Sequence, residues 1–138
     1  MVFRVLDATA FYAGIPFASN DSFMTTSMVY EEIQHIKTKQ GVLEMLQQTN
    51  RLQIRDPIEE SIISVTDTAI KTGDNSTISK QDVSIIALAL ENDLELITDD
   101  FAVTNVAKQL KIKTSSLMTE GIRTVGNGLV IVQCVEKN

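Results

Sequence analysis

SKQDVSIIALALENDLELITDDFAVTNVA, running from Ser79 to Ala107, joins an apolar helix to a short strand that ends on two carboxylates. Ser79 followed three residues later by Asp82 is a capping-box spacing, placed just ahead of an apolar run. From Val83 to Leu90 only Ser84 is polar, so this helix is predicted to be buried on most sides. A short strand follows, Leu94 to Ile97, and it stops on Thr98-Asp99-Asp100. A buried helix that begins with a carboxylate and a buried strand that ends on two more are costly unless a cation lies between them. A divalent metal is expected to fill that role, and metal-dependent nuclease chemistry is the expectation built on it.

Upstream of this stretch, Phe3 to Leu6 reads as a first strand ending on Asp7, and Ala8 to Ala13 as a short helix broken by Gly14-Ile15-Pro16. Ser19 to Ser22 reads as loop. Thr26 or Ser27 caps a helix to about Lys37, with Val29, Ile33 and Ile36 on one face. A further helix runs from about Lys39 to Gln48, and Leu52 to Arg55 alternates like a strand closed by Pro57. Ile58 to Thr72 is helical, with Ile62, Val65, Ala69 and Ile70 inward and Gly73 as its stop.

Downstream, Phe101 to Leu110 is predicted as a helix facing the core with Phe101, Val103, Val106, Ala107 and Leu110. Ile112 to Ser115 is a short strand, Thr119 to Gly128 a loop, and Leu129 to Val135 a final β-branched strand. Strands alternating with helices of these lengths predict an α/β domain with a mainly parallel sheet.

The totals fit one ordinary globular domain: 138 residues, 43% hydrophobic and 22% charged. The single cysteine, Cys134, excludes an internal disulfide framework and fits a reducing compartment. Strand-like sequence from Val2 leaves no room for a signal peptide, and no apolar run approaches a membrane span, so the expected address is the cytoplasm and no membrane partner is expected. The net charge of −6 is unlike that of a module that binds nucleic acid by its backbone. Charges gathered at a metal site enter that total although a bound ion offsets them, so the balance counts mildly against nucleic acid without excluding it.

In an open α/β sheet, ligands bind beyond the carboxyl ends of the strands. Asp7 follows the first strand and Asp99-Asp100 follow the strand Leu94 to Ile97, so parallel strands put these acids on one edge. Asp82 opens a helix that must pack on that sheet. At about 100° per residue, Glu32 lies roughly 60° from Val29 and borders the apolar stripe, whereas Glu31 faces water. A set of hard oxygens without a histidine or cysteine cluster favours Mg²⁺ or Mn²⁺ over zinc and suits phosphodiester hydrolysis. The hydroxyls of Thr9 and Thr98 are placed to orient ligands or waters.

Each of these residues also has a plain structural reading. Asp82 can simply cap its helix, and one of Asp99 and Asp100 can cap the helix from Phe101 while the other binds metal. Glu32 can be a solvated edge residue and Asp7 a turn residue. His35, the only histidine, reads as a surface residue, and no phosphate-binding glycine loop occurs. The coincidence of the acids in this order, not any one of them, carries the reading.

The segments LDATAF (Leu6 to Phe11), VYEEI (Val29 to Ile33), SKQDVSIIALAL (Ser79 to Leu90) and LITDDFAVTNVA (Leu96 to Ala107) resemble the PIN domain. With TGD at Thr72 to Asp74, they resemble more narrowly the Nob family of endonucleases, which mature the 3′ end of small-subunit ribosomal RNA. The resemblance implies a three-layer α/β/α sandwich, cleavage of single-stranded RNA, and metal-binding acids at Asp7, Glu32, Asp82 and Asp100, with Asp99 auxiliary. It also implies precursor ribosomal RNA and the assembling small subunit as partners. Nob proteins usually carry a C-terminal zinc ribbon of four cysteines, whereas this sequence has Cys134 alone. Residues 1–118 therefore read as the nuclease domain and 119–138 as a loop and strand at the entrance to a ribbon, with Cys134 a zinc ligand only if that ribbon exists.

Other readings stay open at the level of sequence. A VapC-like toxin ribonuclease needs a partner that blocks the acidic site, and a catalytically idle PIN scaffold needs no metal at all. A receiver-like phosphoacceptor wants a lysine after a late strand, which Lys113 does not supply. Arg51, Arg55, Lys108, Lys111 and Lys113 can contact phosphates or serve only as solubilising charges, and no aromatic-rich basic stripe offers a stacking platform.

Overall fold

Val5 and Leu6 have no solvent exposure, and the strand they belong to, β1 (Phe3–Leu6), is the middle of the sheet. The computed structural model describes residues 2–35, 40–117, 122–125 and 128–131. After β1 come α1 (Ala8–Tyr12), α2 (Ile15–Ala18), β2 (Ser22–Thr25), α3 (Ser27–Ile33), α4 (Gln40–Gln48) and β3 (Leu52–Ile54). The chain then forms α5 (Glu59–Thr72), α6 (Lys80–Asn92), β4 (Glu95–Ile97), α7 (Phe101–Gln109) and β5 (Thr114–Ser115). The sheet order is β3-β2-β1-β4-β5, every pairing parallel, with helices packed on it as an α/β sandwich. From β1 the chain moves outward to β2 and β3, then returns through α5 and α6 to add β4 on the other side of β1. The β1–β4 boundary is therefore the topological switch point, where open α/β sheets form their ligand crevice.

The central helix answers the sequence expectation. Six consecutive residues of α6, Ser84 to Ala89, are buried, and Ser79 and Asp82 make the full capping box. Gly73 adopts the left-handed conformation (φ 82°) that ends α5, and Thr26 caps α3.

Several local expectations fail. The short run Ser22–Thr25 is not partly loop but strand β2, buried at all four positions between β1 and β3. It has no polar face and therefore no alternation to read. Pro16 does not simply break a helix: Gly14 (φ 85°) turns the chain and Pro16 sits in the first turn of α2. On α5 only Val65 and Ala69 are buried, while Ile62 and Ile70 are 36% and 56% exposed, because the packed stripe of this helix is narrower than its apolar sequence. Phe101, expected in the core, is 83% exposed at the first position of α7, whereas Val103, Val106 and Ala107 are buried as expected. The predicted extension of α3 through Ile36 and Lys37 lies outside the described residues. The segment read as a C-terminal loop carries a strand: β6 (Ile122–Val125) pairs antiparallel with β7 (Gly128–Ile131) in a separate two-stranded sheet. Val135 and Cys134 lie outside the described residues.

Candidate active site

The register of the two central strands positions the site. Leu6 of β1 lies opposite Ile97 of β4, so the residues that follow, Asp7 and Thr98, leave the sheet side by side. Thr98 Oγ1 donates to Asp7 Oδ2 at 2.9 Å. The other carboxylate oxygen, Oδ1, accepts from Thr9 Oγ1 at 2.7 Å and from the Ala10 backbone N–H at 2.9 Å, so Asp7 is also the N-cap of α1. Asp7 is only 8% exposed. Burial pushes its carboxyl above the ordinary range, opposed by the three hydrogen bonds and reinforced by the negative charge of Asp82.

Asp7, Thr9, Glu32, Asp82, Asp99 and Asp100 all line one cleft of about 520 Å³. Asp82 reaches it from the first turn of α6, where its Oδ2 accepts from Ser79 N at 3.0 Å. Capping and cleft-lining thus coexist in one side chain. Asp100 caps α7, accepting from Val103 N at 3.1 Å, while its own N–H donates to Thr98 Oγ1 at 3.1 Å. Asp99 does not cap; its Oδ1 accepts from Leu117 N at 2.9 Å. Thr98 itself is buried behind the acids, joining Asp7 and the Asp100 backbone.

Glu32 comes from α3, and two residues that the sequence did not single out hold it. Tyr12 OH donates to Glu32 Oε2 at 2.9 Å, and Gln81 Nε2 donates to Glu32 Oε1 at 2.8 Å. Accepting that hydrogen bond, Glu32 holds the Tyr12 phenol above its ordinary value. No spacing in the sequence links positions 12, 32 and 81; the only hint is that Gln81 precedes Asp82.

Among the described residues the acids lining the cleft offer oxygen ligands and no histidine or cysteine lines it, which fits a hard cation such as Mg²⁺ or Mn²⁺ rather than zinc. A buried carboxylate facing a second one is the electrostatic condition that a cation relieves. Among the described residues, however, no three acidic side chains stand close enough together to hold one ion as they are placed. The hydrogen bonds to Ser79, Val103, Leu117, Tyr12 and Gln81 draw the carboxylates toward the cleft walls. The residues fit a divalent ion in kind and in the cleft they share.

Residues 4–91 match the family model for the PIN domain of ribonuclease, a span that includes Asp7, Glu32 and Asp82 and stops before Asp99. The chain is 37% identical to Endoribonuclease Nob1 of Methanocaldococcus jannaschii, covering 87% of this chain and 59% of that protein. It is 35% identical to Endoribonuclease Nob1 of Methanothermobacter thermautotrophicus, covering 87% of this chain and 71% of that protein. A shorter match, 36% identity, joins 58% of this chain to 17% of the 20S-pre-rRNA D-site endonuclease NOB1 of Saccharomyces cerevisiae. Among solved structures, a PilT N-terminus domain protein from Sulfolobus solfataricus superposes with a TM-score of 0.56 at 18% identity, covering 86% of this chain and 90% of that one, a likeness of fold.

Proposed function

Since the chain belongs to the PIN domain family of ribonucleases, we propose that it is a divalent-metal-dependent endoribonuclease that matures the 3′ end of small-subunit ribosomal RNA. The proposal draws on its likeness to Nob1 proteins, one of which is named as a pre-rRNA endonuclease. The observation that carries it is Asp7, buried at the switch point of the sheet and sharing one cleft with four other carboxylates.

In this reading Asp7, Glu32, Asp82 and Asp100 hold Mg²⁺ or Mn²⁺, with Asp99 auxiliary. Bound there, the ion supplies an activated water and offsets charge at the phosphodiester. The protein's own part is orientation. Thr98 and Thr9 fix both oxygens of Asp7, and the caps of α6 and α7 fix Asp82 and Asp100. The cleft is open and acidic, and the chain carries a net charge of −6, so affinity for naked RNA is weak and an assembling small subunit supplies the positioning.

The cytoplasm is the matching compartment; no helix of the described residues is long and apolar enough to cross a membrane. The nuclease domain is drawn at 1–118, since β5 ends the parallel sheet at Ser115 and β6–β7 form a sheet of their own. The remainder, 119–138, leads toward a zinc ribbon if one follows.

The test is cleavage of an RNA spanning the mature 3′ end of the small-subunit precursor, with Mn²⁺ or Mg²⁺ and with chelator. Cleavage by the parent, its loss in chelator, and a loss of about 100-fold or more in Asp7→Asn are expected, since even partners one shell further out cost 10–100-fold. Equal cutting by Asp7→Asn removes Asp7 from the chemistry.

A further inference from the structure

Glu32 stands apart from the other acids of the cleft. It lies in the last turn of α3 rather than after a strand or in the first turn of a helix, and each of its carboxylate oxygens accepts a hydrogen bond from a neutral side chain. Tyr12 brings α1 to it and Gln81 brings α6 to it, so three elements meet on this one carboxylate. Each oxygen keeps a further lone pair for a cation while accepting its hydrogen bond.

Gln81 is itself anchored. Its backbone carbonyl accepts from Ser84 Oγ at 2.7 Å, and Ser84 Oγ meets the buried hydroxyl of Thr26, the N-cap of α3, at 2.9 Å. The packing of α3 against α6 therefore has a buried polar tie of its own. The side-chain amide of Gln81 adds something separate, a fixed direction for the Glu32 carboxylate.

We propose that Tyr12 and Gln81 are positioning residues that clamp the Glu32 carboxylate at the rim of the cleft and thereby set its affinity for a divalent cation. The inference rests on the metal reading proposed above. A glutamate has three side-chain torsions to immobilise on binding an ion; two hydrogen bonds settle them beforehand. Losing either donor leaves the carboxylate mobile and the ion more weakly held.

The experiment compares the full chain with Tyr12→Phe, Gln81→Leu and the double variant, following thermal unfolding against MnCl₂ concentration. Tyr30→Phe is the control, since Tyr30 OH accepts from Gln47. Each single variant is expected to need about 10-fold more Mn²⁺ for half of the metal-induced rise, and the double variant up to about 100-fold. Their melting temperatures without metal stay at the parent value, because the lost groups lie at the surface.

The chain has two tyrosines and no tryptophan, so the ultraviolet difference spectrum of Tyr30→Phe on adding Mn²⁺ reports Tyr12 alone, and a perturbation is expected. A parent that shows no Mn²⁺-induced rise overturns the metal reading and the clamp together. A parent that rises, with variants rising at the same Mn²⁺ or at less, overturns the clamp alone. Metal-free melting temperatures that fall as far as the metal-bound ones do likewise, and if one variant moves while the other does not, the role of the unmoved residue falls.

Discussion

Thr98 donates its hydroxyl hydrogen to Asp7 at 2.9 Å across 91 residues of chain, because β4 lies directly beside β1. That contact joins the buried Thr98 to an acid that lines the cleft. It ties the strand that ends on Asp99 and Asp100 to the acid that opens α1, and it gives the buried Asp7 carboxylate a neutral hydrogen-bond donor. The consequences for stability and metal binding can be measured.

Asp7 has a distinct pH signature. Burial raises its carboxyl above the ordinary value of 3.8, so the native chain holds this proton more tightly than the unfolded chain does. Its influence on folding is neutral when both states are protonated. It becomes destabilising as pH rises from 3.8 through the raised folded value, and stays so above it. In metal-free buffer Asp7→Asn is therefore more stable than the parent at pH 7, since asparagine caps α1 equally well, and the difference shrinks toward about pH 3. Urea midpoints at the two pH values measure this; a variant less stable at pH 7 contradicts it.

Asp82 allows the cap to be separated from the metal. Asp82→Asn retains a side-chain oxygen for the Ser79 N–H and so keeps the capping box, whereas Asp82→Ala loses it at about 1 kcal/mol. Without metal, the asparagine variant melts with the parent and the alanine variant melts lower. Parent protein at an Mn²⁺ concentration 100 times its Kd gains about 2.7 kcal/mol, on the order of 10 °C for a chain of this size. Both variants lose most of that gain. Calorimetry with and without Mn²⁺ decides, and a full metal-induced rise in Asp82→Asn makes Asp82 a cap and nothing more.

Asp74 behaves in the opposite sense to Asp7. Its Oδ2 accepts from Thr72 Oγ1 and from Asn105 Nδ2, both at 2.7 Å, linking the end of α5 to α7. These bonds, Thr72 first, hold its carboxyl below the ordinary value of 3.8. A lowered folded value gives stability that is present above 3.8 and lost as pH falls through the folded value. Asp74→Asn is expected to be less stable than the parent at pH 7 and to show a flatter loss of stability between pH 5 and about pH 2. Identical acid-unfolding curves for the two chains count against the link.

Phe101 and Leu88 separate exposure from hydrophobicity. Phe101 is 83% exposed and Leu88 fully buried. Phe101→Ala changes stability by no more than about 0.5 kcal/mol, because a surface helix position is involved. Leu88→Ala costs about 2–5 kcal/mol through lost burial and the cavity left behind. Chemical denaturation of the two variants side by side checks the contrast, and a large loss at Phe101 means that it packs against something.

The local pieces are legible in the residues alone: the Ser79–Asp82 capping box, the buried run after it, the Gly73 stop, and acids placed just after strand-like runs at Asp7 and Asp99-Asp100. These are properties of residues a few positions apart, set by helix period, cap chemistry and backbone conformation, so they are legible in one dimension. Tertiary structure alone decided that β4 adds beside β1, which makes Thr98 the neighbour of Asp7 and brings acids from four elements to one cleft. It also decided that Ser22–Thr25 is a strand, that Phe101 faces outward, and that Tyr12 and Gln81 meet on Glu32. Those outcomes depend on which surfaces bury one another across the whole chain, and no periodicity in the sequence records that choice.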